Sequence, residues 1–470
     1  MPMCGNWRQK LKLIDMKNLV VLILSITFLI SCNNDYNLPD TNVSPNLNST
    51  KSFELSEDDA QKILLSFLNN QEDKTLKSTS ESLKIRNISK DNYKLEKNAT
   101  QQKSTVAGTD TCIPIYNFTI EDASNNRGFA LVSGDLRVPS VLSLSMEGSL
   151  SDTVYNKALA LWYDVYLKDY LKEQLSNFNL VRDSILNLQN TNTKFASTYD
   201  PLFDGWILCG DVIWSETSSV INYANDLRIE QKRVSDSGQL IKVAWNQTAP
   251  YNGNFPTINC EGSNMVAYAG CTTLAVTQIM SYYRKPTNYD WNILNSQVSI
   301  PSTSTNVQLL SSIRTLMINV GNSLKLNYKC DGSGASIDNV LNTLKSFGYS
   351  GNIVGASYNN YNTHKTVGDE LKASRPVYHQ GFKGSSSGHA WIVDGYQDYI
   401  VNYYAQLKVV NKQTGAITNN PWGMIFGNNN LHSILYHVNF GWGGSNNGWY
   451  AYPCGGSDYS SNQQLIINIK

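Results

Sequence analysis

Cys271 stands where a short turn, Ala269-Gly270, meets a helical pattern running Cys271-Thr272-Thr273-Leu274-Ala275-Val276-Thr277-Gln278-Ile279-Met280. The unpaired N–H groups and positive dipole end of a helix favour a thiolate, the nucleophilic form of the side chain. A thiolate that attacks a carbonyl needs a histidine to pair with it and protonate the leaving group. It also needs a group that orients the imidazole and donors for the oxyanion. The chain has five histidines. His364 is expected in a Tyr/Asn-rich polar loop, and His379 and His432 in or beside strands that carry no glycine motif. His389 follows the run Gly384-Ser385-Ser386-Ser387-Gly388 and opens the apolar strand Ala390-Trp391-Ile392-Val393, from which an imidazole can project into a cleft. His437 lies two residues before Asn439, and strand alternation puts both on one face, which suits a structural, hydrogen-bonding role for His437. By elimination the base is His389. Asp394 falls on the opposite strand face from His389 and is read as structural.

Three segments come in the chain order Cys, His, Asn: Gly270-Cys271, Gly388-His389-Ala390-Trp391-Ile392-Val393-Asp394-Gly395-Tyr396, and His437-Val438-Asn439-Phe440-Gly441-Trp442-Gly443-Gly444. With Trp245-Asn246-Gln247, Pro250-Tyr251-Asn252 and Arg375-Pro376-Val377-Tyr378, this ordered set resembles the streptopain family of papain-like cysteine peptidases. Upstream, Gly128-Phe129-Ala130-Leu131-Val132-Ser133-Gly134-Asp135 resembles that family's propeptide. The resemblance implies an α+β, two-lobed papain-like domain with its active site between a helical and a β-rich half. An α+β propeptide precedes it and blocks the cleft until removed. Protein or peptide substrates, the chain's own propeptide as inhibitor, and no cofactor are implied. So are site roles. Asn439 accepts the Nδ1 proton of His389 and fixes its tautomer. Gln247 and the backbone N–H of Cys271 donate to the oxyanion. Gly388 and Ser333 present backbone groups to the substrate chain, and Trp442 forms a cleft wall. Where the family usually has Trp, this chain has Phe440, which keeps the apolar shield but not the indole N–H.

The remaining composition bounds location and partners. At 470 residues the chain is long enough for two or three domains with full cores. Its 38 basic residues balance 38 acidic ones, so no basic surface points to nucleic acid. The apolar run of residues 19–30, preceded by Lys12 and Lys17, is short for a bilayer span and fits the h-region of a secretory signal. It ends in Leu29-Ile30-Ser31-Cys32, which resembles a bacterial lipobox, so Cys32 is expected to carry lipid and become the mature N-terminus. The translation start is either Met1 or Met16. An extracytoplasmic, lipid-anchored protein of a bacterial envelope is expected. Of the eight cysteines, Cys112, Cys209, Cys260, Cys330 and Cys454 remain after Cys4, Cys32 and Cys271 are assigned. An odd number without CxxC spacing implies neither a metal site nor a full disulfide framework; one pair can form, and spacing does not say which.

The expected organisation is a signal at 1–31, a propeptide at 32–237 and a peptidase domain at 238–470. Ser56 with Asp59 forms a capping box for a helix that buries Ala60, Ile63, Leu64, Phe67 and Leu68. Residues 70–110 show no sustained periodicity and are expected to be loop or disorder. Strands are expected at 113–120 and 128–133, and a helix at 153–188 with Leu159, Trp162, Tyr166 and Tyr170 on one face. The 153–235 insertion lies outside the resemblance and is either an enlarged prodomain or an accessory domain. Further on, the Cys271 helix stops near Pro286, a helix covers 336–347, and strands cover 390–393, 407–410 and 433–438. The favoured reading is a cysteine endopeptidase made as a zymogen. Against a related acyl transferase or amidase stands Asn439, because those enzymes generally use Cys-His-Asp. Against a catalytically silent surface-binding protein stands the intact set Cys271, His389, Asn439 and Gln247.

Overall fold

The computed structural model describes residues 53–69, 83–95, 112–122, 124–151, 156, 159–160, 162–191, 218–356, 361–383, 387–411, 417–418, 422–451 and 463–470. Cys32 and the signal-like segment lie outside them. The described residues divide into two compact units, one of them holding Phe53 and the described parts of 175–232 and 400–432, the other the described parts of 54–174, 233–399 and 433–470. In the first, Phe53 meets Phe178 edge-on at 5.8 Å, and the far end of a long strand pairs Val409 with Thr418. The second unit holds the chemistry.

Ser56 caps the first helix, α1 (Glu57–Asn69), as expected: its Oγ accepts from the Asp59 N–H at 3.2 Å and donates to Asp59 Oδ2 at 2.7 Å. All five expected apolar residues of α1 are buried. An antiparallel meander follows: β1 (Lys84–Lys94), β2 (Cys112–Glu121), β3 (Arg127–Ser133) and β4 (Val141–Ser145). β1 corrects the expectation of loop or disorder at 84–94; residues 70–82 and 96–110 lie outside the described residues. Its sequence KIRNISKDNYK is mostly polar and exposed, because an edge strand with solvated faces needs no hydrophobic alternation. Gly128 is required where β3 meets β4, since a Cβ there would fall 2.1 Å from the Ser145 carbonyl oxygen. Next come a π turn, Trp162–Tyr166, and α2 (Leu167–Thr191). Leu159, Trp162, Tyr166 and Tyr170 are all buried, as the spacing predicts; residue 153, the expected start, lies outside the described residues.

The remaining elements are β5 (Ser218–Asp236), the hairpin β6 (Thr257–Cys260) and β7 (Ser263–Val266), α3 (Cys271–Tyr283), α4 (Trp291–Leu294) and α5 (Val307–Leu324). A second hairpin, β8 (Asn327–Lys329) and β9 (Gly332–Gly334), leads to α6 (Ile337–Ser346), β10 (Asn352–Gly355) and α7 (Tyr361–Lys372). The chain closes with β11 (Val377–Lys383), β12 (Ser387–Asn411), β13 (Ile417–Thr418), β14 (Trp422–Asn439), β15 (Gly448–Ala451) and β16 (Gln464–Ile467). The strands expected at 390–393 and 407–410 are one element, β12. His364 sits in α7 and not in a loop; among the described side chains of that helix, only Val367 and Leu371 are fully buried hydrophobics, too sparse a stripe to read.

α3 is buried from Thr272 through Ser281, and a helix apolar on all sides belongs in a core. Leu274, Ile279 and Met280 pack there with Ile313, Leu316 and Val320 of α5, Val340 and Leu344 of α6, and Tyr378 and Ile392 from the sheet. Ser336 caps α6 by accepting the Asn339 N–H at 3.3 Å, and Gly348 follows the helix at φ +89°. The main sheet runs β1-β2-β3-β4-β15-β14-β12-β11-β16-β10. The N-terminal meander therefore continues into the C-terminal sheet through β4 and β15, with Ser145 opposite Gly448, Leu144 opposite Trp449 and Ser143 opposite Tyr450. Trp162 locks this junction: its indole N–H donates to the Ala451 carbonyl at 2.7 Å and its ring meets Tyr450 edge-on at 4.8 Å. Layers of helix and mixed strand make this an α+β fold.

Candidate active site

Cys271 is the first residue of α3, and the preceding Gly270 has φ 87°. A Cβ at Gly270 would lie 2.4 Å from the Ser333 carbonyl oxygen, so glycine lets β9 close onto the cysteine turn. The Cys271 sulfur faces the backbone N–H groups of Ala390, Thr272 and Cys271 itself. Ala390 adjoins His389 on β12, so the strand that carries the histidine also supplies a backbone group to the cysteine. Burial pushes the thiol above the usual cysteine range, and these three N–H groups offset it only partly. Iodoacetamide labelling of Cys271 in the intact chain should be slow at neutral pH and rise as pH passes the ordinary cysteine range. A labelling rate already at its plateau at neutral pH would contradict this.

His389 is oriented differently from expectation. Its Nε2 meets the Phe440 carbonyl oxygen at 3.2 Å. A carbonyl can only accept, so Nε2 carries the proton in this hydrogen bond. Its ring stacks near Trp442, at 6.2 Å and 8°, and near Trp391, at 5.9 Å and 20°. The expected bond from Asn439 to the imidazole is not among the contacts of the Asn439 amide. Asn439 Nδ2 donates to the Val243 carbonyl at 3.1 Å and to Gln278 Oε1 at 3.2 Å, while its Oδ1 accepts from the Gly441 N–H at 3.0 Å. The physical reason is its burial: at 1% exposure the amide is spent fixing the turn that aims the next residue's carbonyl at His389. Asn447 holds the same turn by accepting the Phe440 N–H at 2.9 Å.

Gln278 was not singled out in the sequence, although it is central here. Its Oε1 accepts from the Trp245 N–H at 3.0 Å and from Asn439, tying three segments together. The signal was available: Gln278 lies seven residues after Cys271, two turns along the same helix face. The Phe440 carbonyl had no such signal, because a backbone atom leaves no mark on residue type.

Gln247 is 3% exposed, and its Nε2 is a buried donor with no partner among the described residues. Its carbonyl accepts the Ala269 N–H at 2.9 Å, which fastens it two residues before Cys271. Ser333 is likewise buried beside that turn, with an unpartnered Oγ. Gly388 is exposed on β12 opposite Phe382. Trp442 stands between Gly441 and Gly443, at φ 75° and 68°, and the Gly443 N–H donates to the Trp245 carbonyl at 3.0 Å. Asp394 is fully buried elsewhere: it accepts from His437 Nδ1 at 2.6 Å and from the Ile241 N–H at 2.9 Å. The structural reading of Asp394 and His437 holds.

Residues 245–450 match the model of the Peptidase C10 family, and residues 52–170 match that of the Spi protease inhibitor. Streptopain of Streptococcus pyogenes is 23% identical over 393 residues, covering 73% of this chain and 78% of streptopain. The thiol protease/hemagglutinin PrtT of Porphyromonas gingivalis is 23% identical over 397 residues, covering 75% of this chain and 37% of that protein. The chain therefore carries a Peptidase C10 family domain preceded by a Spi protease inhibitor domain, and is a cysteine-type peptidase made as a zymogen.

Proposed function

We propose that the chain is an extracytoplasmic cysteine endopeptidase in which Cys271 is the nucleophile and His389 the general base. The observation that supports this is Cys271 as the first residue of the buried helix α3, with Gly270 closed against Ser333, and a His389 imidazole whose Nε2 is engaged by the Phe440 carbonyl. His389 Nδ1 takes the Cys271 proton, sulfur adds to the scissile carbonyl, and the imidazolium protonates the departing amine. Water then attacks the thioester, returning acid and free thiol. The Gln247 Nε2 and the Cys271 N–H stabilise the oxyanion; a buried donor without a partner supports the glutamine's part. Gly388 and Ser333 bind the substrate backbone, Trp442 walls the cleft, and Asn439 is a positioning residue acting through the Phe440 carbonyl. Domain boundaries at 1–31, 32–237 and 238–470, with a lipid on Cys32, complete the reading. The apolar run and the sequence Leu29-Ile30-Ser31-Cys32 support the anchor.

The test is maturation. Purified precursor held under reducing conditions should shorten itself to a C-terminal fragment starting near Ser237, roughly 230 residues long. Cys271→Ala should remain full-length by mass spectrometry. Equal shortening of the alanine form, with no other protease present, would defeat the proposal.

A further inference from the structure

Cys260 and Cys330 form a disulfide across 70 residues of sequence. Each cysteine sits at the tip of a hairpin. Cys260 pairs with Ser263 where β6 turns into β7, and Cys330 follows Lys329, which pairs with Gly332 where β8 turns into β9. The two hairpins hold opposite sides of the cysteine turn. β7 leads through Ala267, whose carbonyl accepts from Asn252 Nδ2 at 3.0 Å, into the Tyr268–Cys271 stretch. β9 carries Ser333, whose carbonyl lies against Gly270. Besides the bridge, β9 packs against α3, and Tyr328 packs on the core. Tyr328 meets Phe255 edge-on at 6.2 Å, and Ser333 meets Gly270. Its strands are three residues each, too short to be stable alone.

We propose that the Cys260–Cys330 disulfide is a positioning device for the substrate cleft, clamping the β8–β9 hairpin so that Ser333 is held against the Cys271 turn. The proposal rests on the reading of Ser333 as a substrate-facing residue. Neither sulfur takes part in the peptidase chemistry. Ser333, whose buried Oγ has no partner among the described residues, is what the clamp aligns, while Cys271 is held from its other side by the buried helix α3. Breaking the bridge loosens one wall of the cleft and leaves the nucleophile in place. The bridge is reducible: a dithiol supplies two electrons and two protons, leaves Cys260 and Cys330 as thiols, and closes to its own disulfide. A dithiol that maintains the Cys271 thiol therefore also has a route to this wall.

The experiment compares the matured full chain with the Cys260→Ser/Cys330→Ser variant on an extended peptide substrate, alongside iodoacetamide labelling of Cys271. The expected result is a roughly tenfold rise in KM, with kcat and labelling rate within about twofold of wild type. Dithiol-reduced wild type should show the same shift, and reoxidation should reverse it; mass spectrometry of the 260/330 peptides reports the redox state. This arm serves if the double variant does not fold. An unchanged KM in enzyme shown to lack the bridge overturns the proposal. So does a parallel loss of kcat and labelling, which would place the clamp on the Cys271 turn itself. Cys271→Ala run in the same assay separates the two ideas: residual turnover there removes the catalytic assignment, whatever the disulfide does.

Discussion

His389→Ala should lower kcat by about three decades or more, roughly 4 kcal/mol of transition-state stabilisation, because no second base replaces it beside Cys271. His437 is committed to Asp394 at 2.6 Å, and His379 is fully buried against Trp391, with burial pressing its pKa down to about 3. Asn439→Ala should cost less and act differently. It leaves the imidazole and the Phe440 carbonyl present but frees the turn that aims them, and it strands the Val243 carbonyl and the Gly441 N–H, leaving Gln278 Oε1 with the Trp245 N–H alone. Turnover should fall by roughly one to three decades, with about 1–3 kcal/mol lost in stability from the stranded groups. Gln278→Ala should mimic it, and the double variant should fall short of the sum because both act through one network. Asp394→Asn should alter folding yield while leaving kcat near normal. Steady-state kinetics with a thermal midpoint for each variant would check the set. Normal turnover in Asn439→Ala together with collapse in Asp394→Asn would move the enzyme to a Cys-His-Asp mechanism.

Residue type and spacing revealed what depends on side chains with a characteristic neighbourhood. Cys271 was visible because a glycine turn precedes a helix, and α1 because its cap and its apolar stripe agree. Asp394 could be set aside because strand alternation turned it from His389. What stayed hidden lacked such marks. The Phe440 carbonyl is backbone. The Asn439 amide was read as touching the histidine directly, yet its burial commits it to Gln278, Val243 and Gly441. β1 was missed because a solvated edge strand carries no period. The Cys260–Cys330 bridge could not be chosen from five cysteines by spacing, since what pairs them is the meeting of two hairpin tips.

Trp162→Ala should unfasten the inhibitor domain from the peptidase. In the precursor, β4 completes the sheet beside β15, and Trp162 closes the seam through the Ala451 carbonyl and the Tyr450 ring. Removing a fully buried tryptophan costs about 3–5 kcal/mol, shared between the inhibitor domain's own fold and its docking. If even 1.4–3 kcal/mol of that falls on docking, the open fraction of the precursor rises by roughly one to two decades. Self-shortening, timed by mass, should speed up by at least about tenfold, and peptide hydrolysis should begin before cleavage. Trp162→Phe keeps most of the ring contact and loses the hydrogen bond, worth about 1 kcal/mol, so its acceleration should be only about fivefold. The two variants together separate docking from folding. A Trp162→Ala precursor that melts earlier yet keeps full latency would show that this tryptophan stabilises the inhibitor domain alone, and the seam at β15 would then have to be held by the strand pairing of residues 143–145 without it.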